Sequence, residues 1–408
     1  MPIITIFSGS FCELDSVVEE VIKGTGFRHI TDDDIAIEAS RRSAMADSKI
    51  KRAFSTKTSV FNKYTLEKER SIAYIKLAVA ELAAEGKALM TNFSGMLIPE
   101  TVEHVLRVSL VASKKYRIEA AIKQQGVSKK EAGRLVKKGD EQCTGWIEYV
   151  CGNKDPWDPA LYDIVIPVEK MSAAEAAALI ADNALKDILQ PDTESKMALE
   201  DFRLAAEVEA VLSQEGHIVG VSSQKGAVTL TINQHVLRLN RLQEELKSIA
   251  GQIAGVQSVE TKTGKEFHKS DIYRKHDFEM PSKVLLVDDE REFVHTLSER
   301  LIMRNMGSAV AYDGESALKL IKEDEPEVIV VDLKMPGVDG IEVLRKVKET
   351  HPEIEVIIVT GHGHEEDRQL CMDLGAFAYL QKPLDINVLS ETIQKANEKI
   401  RQRKEQKG

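Results

Sequence analysis

Asp288, Asp289 and Glu290 directly follow the apolar run KVLLV, and Asp332 directly follows EVIVV. Thr360 ends EVIIVT, and Lys382 comes straight after FAYLQ. Short runs rich in β-branched residues read as buried parallel strands. Carboxylates, a hydroxyl and an ammonium therefore fall at one edge of one sheet, the carboxyl edge, where open α/β sheets carry their sites. Carboxylates gathered there repel one another and need a counter-ion, and hard oxygen ligands on a rigid edge suit Mg²⁺. A carboxylate beside Mg²⁺, with a hydroxyl and a lysine in reach, is equipped to accept a phosphoryl group. Metal and lysine neutralise the equatorial oxygens while the aspartate attacks in line.

The elements that must hold these groups form a regular alternation from Lys283 onward. Strands KVLLV, SAVAY, EVIVV, EVIIVT and FAYLQ are each followed by a helical segment, the last from about Asp385 to Arg403. Phe293, Leu297 and Leu301 recur at i, i+4 and i+8, one apolar stripe against the sheet. The pattern predicts a doubly wound (βα)5 domain.

VLLVDDE, VVDLKMPG, VTG and YLQKP occur in that order, and residues 283–403 resemble the receiver domain of two-component response regulators. The resemblance implies that Asp332 is the phosphoacceptor. It implies that Asp288, Asp289, Asp332 and the backbone carbonyl of Lys334 hold Mg²⁺. Thr360 and Lys382 would stabilise the phosphoryl oxygens, and Tyr379 would be the aromatic switch. Lys382-Pro383 is a candidate cis peptide. The implied partners are a sensor histidine kinase and a second copy of the chain through the receiver.

Residues 1–187 alternate in the same way. IITIF (3–7), KALMT (87–91), VLRVSLVA (105–112) and YDIVIP (162–167) read as strands. Between them, Leu66, Ile72, Ile75, Val79 and Leu82 mark one side of a helix spanning Thr65 to Glu85. A mainly parallel sheet covered on both faces is expected. The Gly26-Phe27 step, YRIEAAIKQQGVSKKEAGRLVKKGDEQ (116–142) and WDPALYDIVIPVEKMSAAEAAALI (157–180) resemble the cytidylate-kinase-like family, whose fold is a P-loop nucleotide-kinase sheet. The chemical positions depart from that family. Phosphate binding needs a glycine-rich loop that lets backbone N–H groups reach the oxygens, with a basic residue beside it. Here the chain reads FSGSFCELDS, with only Gly9, and the family's glycine run falls on Phe11, Cys12, Glu13 and Leu14, with Asp15 at the basic position. In the lid Asp140 is kept, but Cys143 stands where the arginine should be. Arg117 and Asp140 are the remaining candidates for nucleotide binding. A degenerate kinase fold used for binding or dimerisation is expected, with no enzymatic activity of its own.

DILQPDTESK (187–196) reads as a linker. Residues 196–263 follow as a smaller α+β unit of helix, strand (GHIVG), strand (GAVTLTIN), helix (His235 to Ile253) and strand. Its G-x-V-x-L strand and GVQSV step resemble the BON domain. Residues 264–282 form a polar connector, with His268 and His276 expected to be exposed. His362-Gly363-His364 lacks further ligands at metal spacing and reads as solvated histidines.

Net charge is −11 over 408 residues, which argues against a nucleic-acid binder relying on bulk charge. The helix, turn and helix of 116–138 keep a DNA-binding regulator as a second alternative, although no DNA contact is expected. The four cysteines form no CxxC pair, so reduced thiols are expected. There is no basic leader ahead of a long apolar run, and no apolar run is long enough to cross a bilayer; no membrane contact and a cytoplasmic location are expected. The whole reads as an α/β multidomain response regulator. Its first alternative is a phosphorylation-gated nucleoside monophosphate kinase.

Overall fold

The β-branched runs become two parallel sheets in the computed structural model, which describes residues 2–55, 58–236, 238–265, 267, 283–361 and 364–406. The chain divides into two units. One comprises Met1–Thr58 and Glu67–Arg274; the other comprises Ser59–Leu66 and Lys275–Gly408.

In the first unit the order is β1 (Ile3–Ser8), α1 (Leu14–Thr25), β2 (Arg28–Ile30), α2 (Asp32–Ser43) and α3 (Asp47–Arg52). The next helix, α4 (Asn62–Thr65), belongs to the second unit. Then come α5 (Glu67–Ala84), β3 (Ala88–Thr91), β4 (Val105–Val111), α6 (Lys114–Gln125), α7 (Lys129–Cys151), β5 (Ile164–Pro167) and α8 (Ala173–Ala184). The five strands lie parallel in the order β2-β3-β1-β4-β5. Both faces are covered, as a parallel sheet requires. Val17, Val21 and Ile180 of α1 and α8 pack with Ile4 and Ile6, whereas Ile35, Ile72 and Ile147 of α2, α5 and α7 pack with Ile3 and Phe7. Successive residues of β1 thus feed opposite cores, as strand geometry dictates.

The expected linker and middle domain separate differently from the sequence reading. Asp192 accepts from the Ser195 N–H at 2.7 Å, and this cap starts α9 (Thr193–Gln214) inside 187–196. Lys76 of α5 reaches Glu209 of α9 at 2.9 Å, and Leu199, Ala206 and Ala210 join the core beneath the first sheet. The helix is therefore shared. Its other residues, Leu204, Val208 and Leu212, cover the three-stranded sheet of β6 (Gly220–Gln224), β7 (Ala227–Ile232) and β8 (Ser258–Thr263), together with α10 (Leu239–Ala250). The strand expected at GHIVG begins only at its last glycine, and residues 217–219 lead into it. β6 and β7 are antiparallel; β7 and β8 are parallel. Of the polar connector, 266 and 268–282, with His268 and His276, lie outside the described residues.

The second unit runs β9 (Val284–Val287), α11 (Arg291–Ile302), β10 (Ser308–Ala311), α12 (Gly314–Asp324), β11 (Val328–Asp332), α13 (Gly340–Thr350), β12 (Glu355–Thr360), α14 (Glu365–Asp373), β13 (Ala378–Gln381) and α15 (Ile386–Glu405). The five strands lie parallel in the order β10-β9-β11-β12-β13. The order reverses between β9 and β11, which puts a crevice at their carboxyl ends. Leu297 and Leu301 of α11 and Leu389 and Ile393 of α15 cover one face; Ile321 of α12 and Val343 and Val347 of α13 cover the other. Residues 59–66 pack on this second face. Phe61 is wholly buried in its apolar cluster, and the Val60 N–H donates to Asp324 Oδ2 at 3.1 Å.

Candidate functional site

Asp332 is the last residue of β11, and Asp288 follows the last residue of β9; the two strands are neighbours. Both carboxylates are nearly buried, at 6% and 4% exposure. The Lys382 ammonium, just past β13, lies 2.7 Å from Asp288 Oδ2 and 3.2 Å from Asp332 Oδ1. Glu290 completes its acidic surround at 3.4 Å, and the Phe293 ring lies 4.4 Å beneath it. Buried charges persist only when paired, and here one cation spans two carboxylates.

The remaining acceptor capacity is met by backbone. Lys334 N–H donates to Asp332 Oδ2 and Glu290 N–H to Asp288 Oδ1, both at 2.9 Å. Burial lifts the Asp332 carboxyl above its ordinary value; Lys382 pulls it back, and the neighbouring Asp288 charge pushes it up again. Burial works against the Lys382 ammonium, but the hydrogen bond and charge of Asp288, aided by Asp332, outweigh it and hold that pKa high.

Thr360, at 1% exposure, ends β12, and its carbonyl accepts from the Lys382 N–H at 2.9 Å. The Lys382–Pro383 peptide is cis. Asp289 is exposed one residue beyond Asp288. Tyr379, in β13, is half-buried beside α14, in the apolar cluster that also holds Cys371, and its hydroxyl finds no hydrogen-bond partner among the described residues. His364 starts α14, while His362 and Gly363 lie outside the described residues. Among the described residues no three acidic, histidine or cysteine side chains are drawn together tightly enough to hold a metal unaided. Lys382 takes the position between Asp288 and Asp332.

Two glycines clamp the loop that follows Asp332. A Cβ on Gly340, the first residue of α13, would fall 2.2 Å from the Asp332 carbonyl oxygen. One on Gly314, the first residue of α12, would fall 2.3 Å from the Val338 carbonyl oxygen. Both helix starts therefore touch the 332–340 loop backbone to backbone, a contact the sequence reading did not anticipate.

In the first unit Arg117, at 8% exposure, donates to both oxygens of Asp140, at 2.6 and 3.0 Å. The two nucleotide-binding candidates thus pair with each other, while the buried Arg117 Nε finds no hydrogen-bond partner among the described residues. Burial opposes the Arg117 charge, but Asp140 more than compensates. The loop after β1 is equally occupied: Tyr116 Oη donates to Glu13, and a Cβ on Gly139 of α7 would strike Ser10 Oγ. Burial pushes the Cys12 thiol to about 11 and the Cys143 thiol to about 12, so both stay protonated. Over the carboxyl end of β1, Phe7 lies 5.9 Å from Phe93 and 5.6 Å from Trp157, ring centre to ring centre. The lysine-rich helix pair of 116–138 is α6 and the start of α7, a helix that runs on to Cys151 and buries Trp146 and Ile147.

Residues 284–394 match the response regulator receiver domain, and residues 3–170 match the cytidylate kinase-like family. The chain is 33% identical over 116 residues to the sporulation initiation phosphotransferase F of Bacillus subtilis, covering 28% of this chain and 94% of that protein. It is 39% identical over 104 residues to the transcriptional regulatory protein CpxR of Escherichia coli K12, covering 26% of this chain and 44% of the relative. A receiver domain protein from Clostridium thermocellum is a similar solved structure, at 32% identity, 28% of this chain, 94% of that chain and a TM-score of 0.28. No helix among the described residues is long and apolar enough to cross a membrane.

Proposed function

The chain belongs to the response regulator receiver family through residues 284–394, and from that premise we propose that it accepts a phosphoryl group on Asp332 from a sensor histidine kinase. The observation that carries this reading is the shared ammonium. Lys382 sits within ion-pair distance of both Asp288 and Asp332 at the crevice between β9 and β11. In the transfer, an Asp332 oxygen bonds to phosphorus as the donor's P–N bond breaks. Lys382 and Thr360 then receive phosphoryl oxygens, and the charge is neutralised where it develops.

The donor set fits Mg²⁺, since Asp288, Asp289, Asp332 and the Lys334 carbonyl offer only hard oxygens. When bound there, the metal supplies positive charge to the phosphoryl oxygens. Incubation with acetyl phosphate and Mg²⁺, read by intact mass, should add one phosphate to the full chain. An Asp332→Asn chain should gain none; a gain that survives this change refutes the assignment.

For the first unit we propose a non-catalytic role, in which the kinase-like fold serves as a binding or dimerising module. The Arg117–Asp140 pair and the aromatic cover of β1 support this, because phosphoryl transfer depends on free positive charge at the phosphates. Residues 196–263 act here as a protein-docking or spacing module of BON-like form. The phosphorylated receiver is read out by protein contacts, a second copy through the α14–β13–α15 face among them, in the cytoplasm. ATP consumption with CMP as acceptor should stay at background. Turnover that disappears with Arg117→Ala would establish the kinase instead.

A further inference from the structure

Residues 59–66 stand more than 200 positions before the receiver in sequence, yet they are built into its α12–α13 face. Phe61 is completely buried there, in one cluster with Ala317 and Ile321 of α12 and Val343, Leu344 and Val347 of α13. The Val60 N–H is held by the buried Asp324 at the end of α12. Leu66, which closes α4, has a left-handed φ of +49°, where a leucine rarely rests. The chain turns sharply there into Glu67, the first residue of α5.

The same apolar cluster contains Leu333 and Met335, the second and fourth residues of the stretch that opens with Asp332. That stretch is clamped at Gly340 and Gly314, the first residues of two helices that contribute to the same cluster as Phe61. Contacts so close cannot absorb a displacement, and packed cores pass such shifts on as discrete rearrangements. The loop after Asp332 and the seat of Phe61 are thus joined through one apolar cluster and through the helices that begin at Gly314 and Gly340.

We propose that residues 59–66 are a built-in partner of the α12–α13 face of the receiver, and that the chemical state of Asp332 sets how firmly they are held. The occupant of this face is the chain's own segment, and chain connectivity carries its release to α3 on one side and α5 on the other. The seating stands on the packing alone; its dependence on Asp332 rests on the phosphoacceptor reading above.

Amide hydrogen exchange of the full chain separates these claims. In the unmodified protein the α4 amides should exchange at least tenfold more slowly than in Phe61→Ala, with Phe61→Leu retaining most of that protection. Free-chain exchange in the unmodified protein, or no difference in Phe61→Ala, overturns the seating. With acetyl phosphate and Mg²⁺, exchange over 59–66 should change at least threefold, and not in Asp332→Asn. If intact mass shows the phosphate on Asp332 and exchange stays the same, the switch is refuted while the phosphoacceptor reading stands. If no phosphate is gained, the phosphoacceptor reading and the switch fall together, and the tenfold comparison still decides the seating.

Discussion

The Asp332 carboxylate at the crevice costs the fold something at neutral pH. Asp332 is nearly buried and its pKa lies above the ordinary carboxylate value, so the folded chain holds its proton more readily than the unfolded chain. Its contribution to stability therefore falls as pH rises from the ordinary pKa through the raised one, and above that the penalty is fully present. Asp332→Asn removes the penalty and leaves Lys382 paired with Asp288. The melting temperature of the receiver at pH 7 should rise. A lower melting temperature would show that the Lys382 pair outweighs burial. Sequence made these residues legible because each follows an apolar run, so the strand ends alone bring Asp288, Asp332, Thr360 and Lys382 to one edge. The Arg117–Asp140 pair was different. Both residues were visible as candidates, but nothing in their spacing said that they would spend their charges on each other.

At the scale of elements, Asp32 ties the start of α2 to the turn after β3. Its carboxylate accepts from the Phe93 and Ser94 N–H groups at 3.1 and 2.9 Å. Burial, only partly offset by Ser94 and these N–H groups, pushes its pKa up to about 6 from 3.8. The folded state again binds the proton more tightly, so first-unit stability should decline between pH 4 and 6 by on the order of 2–3 kcal/mol. Asp32→Asn should flatten that slope in urea melts taken across the interval; an unchanged slope would place the titration elsewhere. The elements themselves divide by legibility for a physical reason. IITIF and EVIIVT announce strands because β-branched residues pack both faces of a parallel sheet. Arg28–Ile30 is also a strand, but at the sheet edge, where polar side chains suffice and the pattern vanishes. The supposed linker failed for the opposite reason. Its proline and charges are real, but Asp192 among them is a helix cap.

For the whole molecule, the seating of Phe61 outweighs any single surface contact. Removing a fully buried ring costs about 3–5 kcal/mol. Phe61→Ala should therefore lower the receiver's unfolding midpoint in urea, while Val60→Ala, which trims an exposed neighbour, should leave it nearly unchanged. Equal effects would mean that the segment lies loosely on the surface. FNKYT carries neither helical nor alternating periodicity over any useful length, and its partners lie far along the chain. No reading of local pattern could have assigned it to the receiver.

Synthesis runs in one direction, and the segment leaves the ribosome long before its hydrophobic seat exists. Roughly 220 residues separate Phe61 from Leu285, which is about 10–45 s of translation at ~5–20 residues per second. During that interval the aromatic ring must be sheltered by some other means or left facing water. The nascent amino-terminal half is then sticky at one known spot, and a receiver delivered late, truncated or borrowed from another gene would leave it so.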